Sequence, residues 1–239
     1  MAISETSFAD RLQRGRDMQT ATAVFTPAFA PADASLAAAA FLTFLDLIDV
    51  QNTTVGTLLG QITTGANQRD AMVLDIKDRA LRVLSFVKSN AAWKSFLPQI
   101  KRLADKIRGY RTARATPPAS GEAPGSEPAK KRSQGEQSHG EIKENLEQLV
   151  AALGSIPGYA PAAADLTIAS LTTLAADYAA KNAAMAALYR QAGMEQKDRL
   201  ENYDGPSGLR EKMKAIKQAV RSQYGSNSAE YQQVKGIAL

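Results

Sequence analysis

The chain has 239 residues, 44% of them hydrophobic and only 6% aromatic, with a formal net charge of +5. That length supports one large domain or two small ones around a true hydrophobic core. With no cysteine in the chain, disulfides, thiolate nucleophiles and cysteine-bound metals are excluded, which fits a reducing cytoplasm.

The N-terminus, Met1-Ala-Ile-Ser-Glu-Thr-Ser7, holds an acid where a signal peptide would hold a basic segment and an apolar core. Residues from about Phe8 to Ala21 read as a first amphipathic helix, with Phe8, Leu12 and Met18 as its apolar contacts. Pro27 and Pro31 then stop helical hydrogen bonding and make a corner. Asp33 or Ser35 is placed to cap a long second helix. Its expected core stripe is Leu36, Ala40, Phe44, Leu47, Val55, Leu58 and Ile62. The apolar run Leu36–Leu45 is too short to span a bilayer, so no membrane partner is expected. The second helix is expected to run to about Leu74 and end near Asp75; Gly56, Gly60 and Gly65 weaken it, and a break near Gly65 is the alternative. A third helix carries Leu81, Leu84 and Val87 and ends near Asn90. Trp93, Phe96, Ile100, Leu103 and Ile107 form a seam at helical spacing, with Pro98 in the first turn of a helix running to Gly109.

From 112 to 137 the composition turns to Pro, Gly, Ser, Lys and Glu, which predicts a flexible linker. Ser138 and Glu141 have the spacing of a capping box opening the next helix, which runs to about Leu153. A second proline corner follows at Pro157–Pro161, and Asp165 is placed to cap a second long helix. Asp204-Gly205-Pro206 breaks that helix, and Ser207 opens another that ends at Tyr224-Gly225. With no strand-like alternation anywhere, the fold class is all-α.

The chain repeats itself. Pro27, Phe29, Pro31, Leu36, Thr43 and Asn52 meet Pro157, Tyr159, Pro161, Leu166, Thr173 and Asn182 at a constant offset of 130, and Arg69 meets Arg199. The expected organisation is a first helical repeat at 1–111, the linker at 112–137 and a second repeat at 138–239. Each copy reads as short helix, proline corner, long helix and return helix. Together they are expected to form one antiparallel bundle related by a pseudo-two-fold axis. The alternative is two small bundles joined by the linker.

Catalytic patterns are missing. His139 is the only histidine and reads as a solvated linker residue. No Gly-x-Ser-x-Gly elbow and no phosphate-binding glycine loop occurs. Asp46 with Asp49, and Asp75 with Asp78, lack the helical histidines that bundle metal sites use, and read as solvated faces. Neither a cofactor nor a metal is expected, and the chain is not expected to be an enzyme. Asn52 and Asn182, at the same point of the two long helices, fit a role in fixing register.

Two surfaces remain. Lys101, Arg102, Lys106, Arg108, Arg111 and Arg114 make a basic helix able to touch phosphates, so weak, non-specific binding of nucleic acid or another polyanion is the alternative function. The leading expectation is a structural or protein–protein interaction role. It rests on the uncharged run from Val50 to Gln68, where Gly56, Thr57, Gly60 and Gln61 mark a face suited to a second copy or another protein.

Tyr159-Ala-Pro161, Asp165-Leu-Thr-Ile-Ala-Ser-Leu171, Asn182, Arg199 with Tyr203, and Tyr224-Gly-Ser-Asn-Ser-Ala-Glu-Tyr231-Gln-Gln-Val234 carry a resemblance. So does Lys106-Ile-Arg-Gly109-Tyr110 in the first half. On these residues the chain resembles an uncharacterised, Bacteroidetes-like bacterial family of all-helical proteins. The resemblance implies helices and a bacterial source, and brings no catalytic residue with it.

Overall fold

A computed structural model describes residues 5–110 and 138–239, with side chains from Phe8 onward. The expected linker, together with Arg111 and Arg114, lies outside the described residues. Among those described, every regular element is a helix. None of these helices is long and apolar enough to cross a membrane.

Helix α1 spans Glu5–Ala23, and α2 runs without a break from Ala38 to Ser89. Helix α3 covers Leu97–Arg108, α4 His139–Gly154, α5 Ile168–Asp204, α6 Leu209–Tyr224 and α7 Ala229–Lys235. Short 3-10 turns at Ala34–Leu36 and Ala164–Leu166 precede the two long helices.

Local chemistry explains most of these boundaries. The expected capping box opens α4: Ser138 Oγ accepts from Glu141 N at 3.2 Å, and Glu141 Oε2 accepts from Ser138 N at 3.0 Å. The Ser138 hydroxyl, donating to Glu141 Oε2 at 2.8 Å, and then the Ser138 backbone N–H hold the Glu141 carboxyl below its usual pKa. Pro98 sits in the first turn of α3, as its missing amide hydrogen requires. Three caps differ from expectation. Asp33 caps the 3-10 turn rather than α2, accepting from Ser35 N at 2.9 Å. Asp165 lies inside its turn and binds Arg82, while Thr167 Oγ1 accepts from Ser170 N at the head of α5. Gly208, not Ser207, is the N-cap of α6.

Helix α2 passes through both Gly65 and Asp75, so the third helix expected to carry Leu81, Leu84 and Val87 is the last part of α2 and not a separate element. A Cβ at Gly65 would stand 2.4 Å from Met185 Sδ of α5, so the glycine there permits close helix contact. The cost of roughly 1 kcal/mol in helix propensity is small beside the packing it allows. The buried face of α2 also differs from expectation over its first turns. Phe41, Leu45 and Ile48 are fully buried, whereas Leu47 is 56% exposed and Ala40 faces solvent. Residues 36–48 are apolar nearly all round the helix, so periodicity alone does not select the inner side.

The chain divides into two compact units that do not coincide with the sequence halves. One comprises the residues up to 62 together with 188–239, and the other comprises 63–187. In the first unit, Phe8 and Met18 of α1 and Phe41, Leu45 and Ile48 of α2 meet Tyr203 of α5, Met213, Ile216 and Val220 of α6 and Val234 of α7. In the second, Ile76 and Val83 of α2, Ile100, Leu103 and Ile107 of α3, and Ile142, Leu146 and Leu149 of α4 surround Leu171 and Tyr178 of α5. Each fully buried aliphatic or aromatic side chain contributes about 1.5–3 kcal/mol.

Candidate interaction surfaces

The outward side of α2 in the first unit carries the run that lacks charge. Leu47, Val50, Thr54, Thr57 and Gln61 follow one another at steps of three and four, the spacing of a helix seam. Val50 is 68% exposed, and Thr57 and Gln61 are exposed as well. Gly56 and Gly60 have open space where a Cβ would stand, with no atom within 4 Å. Val50, Thr54, Thr57 and Gln61, with Asp46, Asp49 and Thr53, border a shallow groove of about 700 Å³ that Leu58 and Gln191 of α5 also line.

The acidic end of the groove is neutralised locally. Arg16 of α1 reaches Asp46 at 3.2 Å and Asp49 at 2.9 Å. All three side chains are partly exposed, so the bonds add little stability but do cancel charge. Asp75 and Asp78 are likewise met by Arg79 at 2.9 Å and Arg82 at 3.6 Å. The carboxylate pairs that spacing alone could offer to a metal therefore face guanidinium groups. Among the described residues no cluster of three or more metal-ligating side chains occurs.

The basic helix is less positive than its composition. Lys101 is bonded to Asp105 at 2.9 Å, and Lys106 faces the Glu141 carboxylate across the α3–α4 pair. Arg108 lies 4.4 Å over the Tyr110 ring and donates to its hydroxyl at 3.2 Å. Arg102 is exposed.

Two buried polar clusters stand behind these surfaces. In the first unit, Asn52 Nδ2 donates to the Tyr203 hydroxyl at 2.9 Å, and that hydroxyl donates to the Phe8 carbonyl at 2.9 Å. Buried Arg199 lies 4.1 Å over the Phe8 ring. In the second unit, the Tyr178 hydroxyl is bonded by the Asn182 side chain and stands 2.7 Å from His139 Nδ1. Which of the two groups donates depends on the histidine tautomer, since the tyrosine oxygen can accept from both Asn182 and Nδ1–H. Asn182 Nδ2 also reaches the His139 carbonyl at 3.4 Å. His139 is thus the first residue of α4 and is half-buried, which corrects its reading as a solvated linker residue. Burial first, and the nearby Arg69 cation second, push its pKa below the ordinary value. Burial raises the pKa of Tyr178 and Tyr203.

The asparagine positions are visible in the sequence as a repeated residue. Their tyrosine partners are not, because Tyr203 follows its Arg199 by four residues while Tyr178 precedes its Asn182 by four. Gln191 gives no local signal either, since only the packing of α5 brings it beside α2. No family model matches the chain, and neither does any curated protein or solved structure.

Proposed function

We propose that the protein is a non-catalytic helical interaction protein, built from two copies of one helical unit as an antiparallel bundle, whose contact surface is the uncharged outer face of α2. The observation that carries this reading is the exposed, charge-free seam from Val50 to Gln61, beside two glycines with open space above them. The centre of a protein interface is depleted in charge, and close helix approach favours small residues. The partner is a second copy of the chain. Threonine hydroxyls and glutamine amides both donate and accept, so such a face can satisfy an identical one laid antiparallel upon it. Asp46 and Asp49, already matched by Arg16, oppose that pairing little. Polyanion binding is the weaker reading, because Lys101 and Arg108 already have intrachain partners.

Sedimentation at tens of micromolar tests this function. The wild-type chain should run as a dimer. The double variant Thr57→Glu, Gln61→Glu should run as a monomer with an unchanged helical circular-dichroism signal. A wild-type monomer at that concentration would overturn the reading.

A further inference from the structure

Two sets of bonds in the two units join equivalent segments of the two halves, with the halves exchanged. In the first unit, Lys212 Nζ donates to Ser35 Oγ at 3.3 Å. In the second, Arg82 NH1 donates to Asp165 Oδ2 at 2.5 Å. Positions 35 and 165, and positions 82 and 212, are each 130 apart. The proline corners repeat the pattern. Gln223 donates to the Ala28 carbonyl at 2.8 Å and accepts from Ala30 N at 2.9 Å, while Trp93 Nε1 donates to the Pro157 carbonyl at 3.1 Å. Positions 93 and 223 are again 130 apart. The polar clusters use paired positions as well, with Asn52 and Arg199 around Tyr203 and Asn182 and Arg69 around Tyr178, although the two tyrosines themselves are not equivalent. In both sets of bonds a residue of one half is held by the other half, whereas the Tyr178–Asn182 bond lies within the second half.

We infer that the surface by which one half grips the other is a recognition surface for a second copy of the chain. Two chains can exchange their second halves, so that each unit is assembled from both chains through the contacts just described. Identical contacts serve the closed single chain and the exchanged pair, which makes exchange a low-cost route to a dimer. This inference rests on the two-copy reading of the bundle, but not on the α2 face.

Complementary full-length variants test it. Gly65→Leu overfills the contact with Met185, since a Cβ alone would stand 2.4 Å from that sulfur. Met185→Ala opens the same place. Within one chain each change is uncompensated. After exchange, one second unit holds the leucine against the alanine and the other regains the native glycine and methionine. The two variants, one of them isotope-labelled, are refolded together and examined by native mass spectrometry. Mixed two-chain species should exceed same-variant pairs by about tenfold or more. A second pair, Arg82→Asp and Asp165→Arg, carries the test on an exposed contact in case the steric variants do not refold. Both pairs are placed in the Thr57→Glu, Gln61→Glu background. Mixed species there support exchange whatever the fate of the α2 face. Single chains only, or a merely statistical share of mixed species in the charge-reversed pair, would overturn it.

Discussion

At the scale of residues, the two buried tyrosines join elements distant in sequence, and His139 makes one of these junctions pH-sensitive. Arg69 and Asp70 of α2 and Tyr178 of α5 lie around the imidazole, and Asn182 of α5 donates to the His139 backbone carbonyl. Burial and the arginine lower its pKa from 6.5, so below that value the unfolded chain takes up a proton that the folded chain refuses. The stability it contributes is complete above about pH 6.5 and is lost as pH falls through the lowered pKa. His139→Gln, whose amide can either donate to or accept from Tyr178, should flatten that loss. Urea midpoints at about pH 7 and about pH 5 measure it, and parallel profiles for the two proteins would refute the assignment. None of this was legible from sequence. The residues before His139 have the composition of a linker, and its partner Tyr178 lies 39 positions further on.

At the scale of elements, the sequence announces stops more reliably than continuations. Ser138 with Glu141, both proline corners, and Asp204-Gly205-Pro206 act where they stand, because caps and prolines work through adjacent backbone. Gly65 misleads, because its weakness in an isolated helix is offset by Met185, a residue of a different helix. The exposed position of Leu47 is hidden for a related reason, since an all-apolar turn leaves the choice of inner face to tertiary packing. Glycines in and beside α5 allow a controlled comparison. At Gly205 a Cβ would stand 2.5 Å from the Glu201 carbonyl oxygen, whereas Gly193 has nothing within 4 Å. Gly205→Ala should therefore destabilise the protein by about 1–3 kcal/mol. Gly193→Ala should stabilise it by up to about 1 kcal/mol through helix propensity. Equal denaturation midpoints for the two variants would contradict the tight turn.

At the scale of the whole molecule, the matches at an offset of 130 are plain in the sequence, yet they cannot say which half holds which. Equivalence of positions is local information, whereas pairing is a choice among distant partners. The division of the chain makes that choice testable. Each compact unit contains residues from both halves, so a protease site introduced between 112 and 137 should yield two fragments that stay together on a native sizing column. Separation under native conditions would contradict the division. The same division orders events during synthesis. Residues 63–187 are contiguous, and their unit can close once they have emerged. Phe8, Met18, Phe41 and Ile48, by contrast, are covered by Tyr203, Met213, Val220 and Val234. At a translation rate of about 5–20 residues per second, that earliest apolar surface waits on the order of ten seconds or more for its partners. The segment made first is the one completed last, so in the cell the nascent chain presents its own N-terminal helices to chaperones before it presents them to itself.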